Sequence, residues 1–144
     1  MRAANSSRTG ATPWPSSSTT SSLRGIVSNR FTKPFGHLLE SFILQQLVAE
    51  AGWTHPDLRF WHYRDKDKVE VDCVITRGNK VWGVEFKAAA SVNSSDGKGL
   101  RRLADQAGKD FQSGIVLYDG NSILSLDGPN TLAVPFPQLW TKQA

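Results

Sequence analysis

The chain has a single cysteine, Cys73, and one thiol excludes both a disulfide framework and any cysteine-based zinc site. No apolar run approaches the ~18 residues needed to cross a membrane as a helix. No continuous apolar stretch of the secretory-signal kind opens the chain. Both absences lead us to expect a cytoplasmic protein with no membrane partner. No G-x-x-x-x-G-K-S/T loop for cradling nucleotide phosphates occurs. His37, His55 and His62 lack metal-ligand spacing. Acidic residues are missing from residues 1–39, which carry Arg2, Arg8, Arg24, Arg30 and Lys33. Residues 40–144 hold twelve basic and thirteen acidic side chains, so the formal charge of +4 arises in the N-terminal segment. The basic balance is therefore no sign of a nucleic-acid surface on the folded part.

What is present fits one domain, since 144 residues can bury a real core. Residues 1–30 read as a disordered, basic, Ser/Thr-rich tail, and residues 31–144 as the folded domain. Residues 1–22 are too poor in apolar side chains to contribute to a core. Their Arg- and Ser-containing, acid-free composition superficially resembles an organellar transit peptide. A plain disordered tail, or a start placed outside the true reading frame, explains them equally well.

Within the domain, Leu39, Ile43, Leu44, Leu47 and Ala51 recur at helical spacing, which predicts a helix over 36–52 with Gly52 as its stop. Glu40 falls near the middle of that apolar stripe, where glutamate is uncommon unless paired; a first-turn residue facing solvent is the plain alternative. Residues 58–64 (LRFWHYR) alternate and are aromatic-rich, as a strand requires. A second helix is expected over 97–111, with Leu100, Leu103, Ala104, Ala107 and Phe111 on its buried face. Residues 113–118 (SGIVLY) read as a buried strand, and residues 122–126 and 131–134 as shorter ones. Helix, three strands, helix, then strands predicts an α/β fold: a mixed sheet with a central hairpin and helices packed on it.

The hairpin carries the chemistry. Residues 69–77 (VEVDCVITR) and 80–87 (KVWGVEFK) flank Gly78-Asn79, a signal for a two-residue turn. Arg77 then faces Lys80, and Val71, Cys73 and Ile75 meet Phe86, Val84 and Trp82 on one apolar face. On the other face Asp72 meets Glu85 and Glu70 meets Lys87. Facing carboxylates repel, so a cation is expected between Asp72 and Glu85. Mg²⁺ and Mn²⁺ prefer oxygen ligands, and Mg²⁺ commonly takes one or two carboxylates. Lys87, two residues beyond Glu85, shares its face and could act on a phosphate or on the attacking water. These parts describe metal-assisted phosphodiester hydrolysis. The plain alternative is a solvated face with an ordinary Glu70–Lys87 ion pair.

Asp72, twelve residues, then Glu85-Phe86-Lys87 resembles the signature of the PD-(D/E)-x-K nuclease superfamily, with Val71 where the signature has proline. The segments FGHLLESFILQQL, FWHYRDKDKVEVDCVI, VWGVEFKAA, GKGLRRLA, GIVLYDG and VPFPQLW more closely resemble a domain of unknown function at the C-terminus of prokaryotic AAA-type ATPases, over roughly residues 31–140. The first resemblance implies a restriction-endonuclease-like fold, Mg²⁺ or Mn²⁺ at Asp72 and Glu85, Lys87 at the water or phosphate, and Glu40 assisting at the metal. Its implied substrate is DNA. The second implies an AAA-type ATPase as partner, its ATPase half missing from this chain. A non-catalytic module that binds nucleic acid or regulates the ATPase is the alternative function. Neither resemblance fixes an oligomeric state.

Overall fold

The computed structural model describes residues 26–28 and 38–141, apart from the side chains of residues 26–28, 38–41, 43, 44, 52, 53 and 140. The elements in order are β1 (Ile26–Ser28), α1 (Leu38–Thr54), β2 (Arg59–Arg64), β3 (Glu70–Arg77), β4 (Lys80–Lys87), α2 (Lys98–Ala107), β5 (Phe111–Tyr118), β6 (Leu124–Ser125) and β7 (Thr131–Pro135). Three 3₁₀ segments complete the described residues: Ser94–Gly97, Gly108–Asp110 and Phe136–Trp140. The strands form one sheet in the order β1-β2-β3-β4-β5-β7-β6. β1 through β4 pair antiparallel, β4-β5 and β5-β7 are parallel, and β6 returns antiparallel on β7. The architecture is mixed α/β, as the order of elements predicts.

Parallel neighbours need a crossover, and α2 supplies it between β4 and β5. Leu100, Leu103, Ala104 and Ala107 of α2 pack with Val71, Val74, Val81 and Val116 of the sheet. On the opposite face Leu47 and Val48 of α1, with Leu139, cover Cys73, Val84, Leu117 and Phe136. The sheet is thus a middle layer between two helical ones.

Several boundaries differ from expectation for identifiable reasons. Gly52 does not stop α1; the helix continues to Thr54, its last turn closed by the His55 N–H on the Ala51 carbonyl (2.7 Å), and Pro56 follows. α2 ends at Ala107 rather than at residue 111, because Gly108 turns the chain with φ +56. Phe111 is consequently the first residue of β5 and not the last of a helix. Ile26–Ser28, inside the segment expected to be disordered, pairs with Arg64–His62 of β2 as an edge strand. The first twenty-five residues of that expected tail lie outside the described residues.

Candidate functional site

The hairpin turn occupies Gly78-Asn79, and the register is the expected one from Arg77↔Lys80 through Ile75↔Trp82 to Cys73↔Val84. There the regular ladder ends. On the other side of β3, Trp61 pairs with Val74 but Tyr63 pairs with Val71, so Asp72 and Cys73 together oppose His62. That is a β-bulge, one extra residue in β3, and it turns the strand. Val71 therefore joins the α2-side cluster with Val74 and Leu100, not the Cys73 face to which its parity assigns it. The bulge also displaces the backbone acceptor that Phe86 would meet in a regular ladder. The Asp72 carboxylate takes its place, Oδ2 accepting from the Phe86 N–H at 3.0 Å. Asp72 is thereby tied to the residue next to Glu85.

Alternation along β4 sends Trp82, Val84 and Phe86 toward α1, and Val81, Glu85 and Lys87 toward α2. Glu85 lies under Gly99, near the start of α2. A Cβ at Gly99 would collide with Glu85 Oε1 and the Glu70 carbonyl oxygen, and would sit 3.2 Å from Val71 Cγ2. Only a residue without a side chain lets the helix approach so closely.

Lys87 pairs with Asp96, not with Glu70. Its ammonium donates to Asp96 Oδ2, with the two side chains 25% and 19% exposed. Glu70 pairs instead with Arg64 at 3.3 Å. The expected cross-strand Glu70–Lys87 pair fails because the bulge ends the register before it reaches those positions. Asp96 itself is held by the turn preceding α2: its Oδ2 also accepts from the Asn93 N–H (2.7 Å), while Asn93 Oδ1 accepts from the Ser95 N–H (2.9 Å). Burial works to raise the Asp96 pKa, but the hydrogen bonds from Lys87 and Asn93 and the Lys87 charge outweigh it and hold it below the ordinary carboxylate value. Arg101 of α2 donates to the Ser94 carbonyl (2.7 Å), fixing the turn to the helix. Asp96 is the member of this constellation that the sequence does not reveal; the one local hint is the Asn-Ser-Ser-Asp spacing of a capping box.

Cys73 is buried in the opposite cluster, where burial and then the Asp72 charge push its thiol pKa far up, so it is neither a nucleophile nor a ligand. Glu40 is on the first turn of α1, and its side chain lies outside the described residues. A groove of about 300 Å³ lined by His55, Ile75, Arg77, Trp82 and Ile115 sits at the turn end of the hairpin, away from Asp72 and Glu85.

The donor set suits a hard divalent cation. The Glu85 carboxylate and the Glu70 carbonyl oxygen lie beneath Gly99, and the Cys73 sulfur is on the opposite face of the sheet. Among the described residues no group of three or more His, Cys, Asp or Glu side chains is placed to hold a metal ion. Asp72 and Glu85 would offer a cation two carboxylates, a number that Mg²⁺ commonly uses. Residues 35–139 match the model of DUF4143, a domain of unknown function commonly found C-terminal to AAA ATPases. No curated protein matches the chain.

Proposed function

The chain belongs to the DUF4143 family, and from its charged hairpin we propose that it is a Mg²⁺- or Mn²⁺-dependent nuclease domain of the PD-(D/E)-x-K type, hydrolysing phosphodiester bonds in DNA. The observation that carries the reading is the neighbourhood of charged groups at the open end of the central hairpin: Asp72 accepts from the Phe86 N–H, next to Glu85, while Glu85 lies beneath Gly99 and Lys87 pairs with Asp96. The mixed sheet with that hairpin at its centre is the arrangement expected of a restriction-endonuclease-like fold. In this reading Asp72 and Glu85 hold the cation. The cation, when bound, supplies charge neutralisation at the phosphoryl oxygens and activation of water. Lys87, half-buried beside the pair, balances charge that builds on the phosphate, a role worth orders of magnitude in rate where a preorganised group performs it. In this reading its partner is an AAA-type ATPase, as the likeness of its segments to domains at the C-terminus of such ATPases suggests. A module that regulates the ATPase without cutting DNA is the second reading, favoured by the near-neutral folded part.

The test is plasmid nicking by the purified chain with Mg²⁺ or Mn²⁺, set against Lys87→Ala and Asp72→Asn. Lys87→Ala should lose activity by roughly a hundredfold or more while keeping its metal-dependent thermal shift. Asp72→Asn should lose both. Equal nicking by all three would mean the site is elsewhere, and metal binding without nicking in the wild type would favour the regulatory reading.

A further inference from the structure

We propose that the turn between β2 and β3 is a phosphate-contact site, presenting Lys66 and Lys68 to the backbone of a DNA strand passing the open end of the central hairpin. The choice of DNA as the polyanion rests on the nuclease reading; the placement of the two lysines does not.

The turn uses its acids internally. Asp65 is buried, and its Oδ1 accepts from the Asp67 and Val69 N–H groups, both at 2.9 Å. Arg102 of α2 spans the two carboxylates, with Nε 2.8 Å from Asp65 and Nη2 2.7 Å from Asp67. Both acids of Asp65-Lys66-Asp67-Lys68 are thereby matched inside the fold, and the turn is fastened to the crossover helix. Lys66 and Lys68 are exposed, and neither ammonium has a partner among the described residues. The positive charge left over is carried on two lysine tips of a fixed turn.

Lys68 is the residue whose identity the fold alone does not explain. Its N–H donates to the Asp65 carbonyl at 3.1 Å, and the Asp65 N–H donates to the Val69 carbonyl at 2.9 Å, so the tight turn is closed by one bulged residue. That residue is Lys68, at φ +61. Glycine is the ordinary occupant of such a position, and a side chain there costs stability. What a lysine adds in return is its charge. Lys68 lies about 13 Å along the chain from Asp72, roughly four nucleotides of a strand. Gly99 sits over the Glu70 carbonyl, and Arg102, one turn further along α2, holds the lysine turn. The lysines and the charged end of the hairpin therefore share one rim. Contacts of this kind position a duplex without reading its sequence.

Fluorescence anisotropy of a labelled DNA duplex with the full chain in EDTA reads binding without cleavage and without a metal. Lys66→Gln and Lys68→Gln should each weaken binding and lower the slope of log affinity against log salt by about one, and the double variant by about two. Lys68→Gly should bind as weakly as Lys68→Gln while its urea midpoint rises above wild type. A lysine with a purely structural role would give that gain in stability with no loss of binding. Lys80→Gln, an equally exposed base at the Gly78-Asn79 end of the hairpin, should leave affinity and slope unchanged. The basic N-terminal segment is common to every variant and drops out of the differences. Slopes unaltered by the Lys66 and Lys68 substitutions, an equal loss in Lys80→Gln, or a wild-type chain that binds no duplex would each overturn the proposal. Binding that depends on the two lysines in a chain that nicks no plasmid would sink the nuclease reading alone, leaving the turn as the DNA contact of a non-catalytic module.

Discussion

Gly99→Ala is the substitution that most directly probes how the crossover helix meets the charged hairpin. The added methyl would collide with the Glu70 carbonyl oxygen and with Glu85 Oε1. The first is backbone of β3 and cannot swing aside, so α2 must lift or tilt. Forcing extra volume into such a contact costs about 1–3 kcal/mol. Replacing glycine inside a helix returns at most about 1 kcal/mol through propensity and lost chain freedom, and less in the first turn, where Gly99 lies. Net destabilisation of about 1–2 kcal/mol is therefore expected in urea denaturation. The displaced Glu85 should also blunt the Mn²⁺ thermal shift. Gly108→Ala is the control. Gly108, unlike Gly99, has a positive φ, and nothing lies within 4 Å of an added Cβ. Strain there should cost a similar ~1 kcal/mol and leave the Mn²⁺ response intact. A Gly99→Ala chain as stable as wild type, with an unchanged Mn²⁺ shift, would refute the close contact and the position assigned to Glu85.

Other outcomes follow from the same structure. Arg102 of α2 donates to Asp65 at 2.8 Å, and Asp65 is only 5% exposed while also accepting from the Asp67 and Val69 N–H groups. Arg102→Ala leaves that carboxylate with its backbone donors alone and should cost about 1.5–3 kcal/mol in urea denaturation; Arg77→Ala, which breaks an exposed pair with Asp57, should cost far less. Tyr63 is fully buried, and among the described residues its hydroxyl has no hydrogen-bond partner. Tyr63→Phe should therefore be neutral or stabilise by about 1 kcal/mol in the same assay. Burial first, then the Asp65 charge, raise the Tyr63 pKa from 10.0 to about 12. A raised folded-state value means that the unfolded chain ionises first, so this contribution is whole below pH 10 and lost as pH rises toward 12. Melting curves of Tyr63→Phe should be flatter than wild type across that window.

The hairpin was readable because its signals are local. Gly78-Asn79 sets the turn, and alternation on both sides then fixes each partner as far as Cys73↔Val84. The bulge was not readable, since neither Asp72 nor Cys73 has the composition that marks one. It shows only in the pairing with β2, where Tyr63 meets Val71. That single extra residue moved Val71 to the other core and ended the register before Glu70 could meet Lys87. The partner Lys87 does have, Asp96, is nine residues further along the chain; it arrives through the fold of the crossover, which no strand pattern encodes. The end of α2 was misplaced for a different reason: Phe111 continues the helical spacing perfectly well, but Gly108 interrupts the backbone first.

The route by which this sheet is wired also orders its assembly. β3 and β4 are contiguous and close through a two-residue turn, an event of microseconds. β4 and β5 are parallel neighbours and can join only after residues 88–110 have looped back over the sheet, which carries a larger closure entropy. The acidic residues of the hairpin are thus gathered early, by the cheapest contacts in the molecule. The segment bearing Asp96 and Gly99 arrives late, with the docking of α2. Until then Lys87 is without the Asp96 carboxylate that it meets in the folded chain. The slow step of folding is the one that brings Asp96 to Lys87 and Gly99 over Glu85.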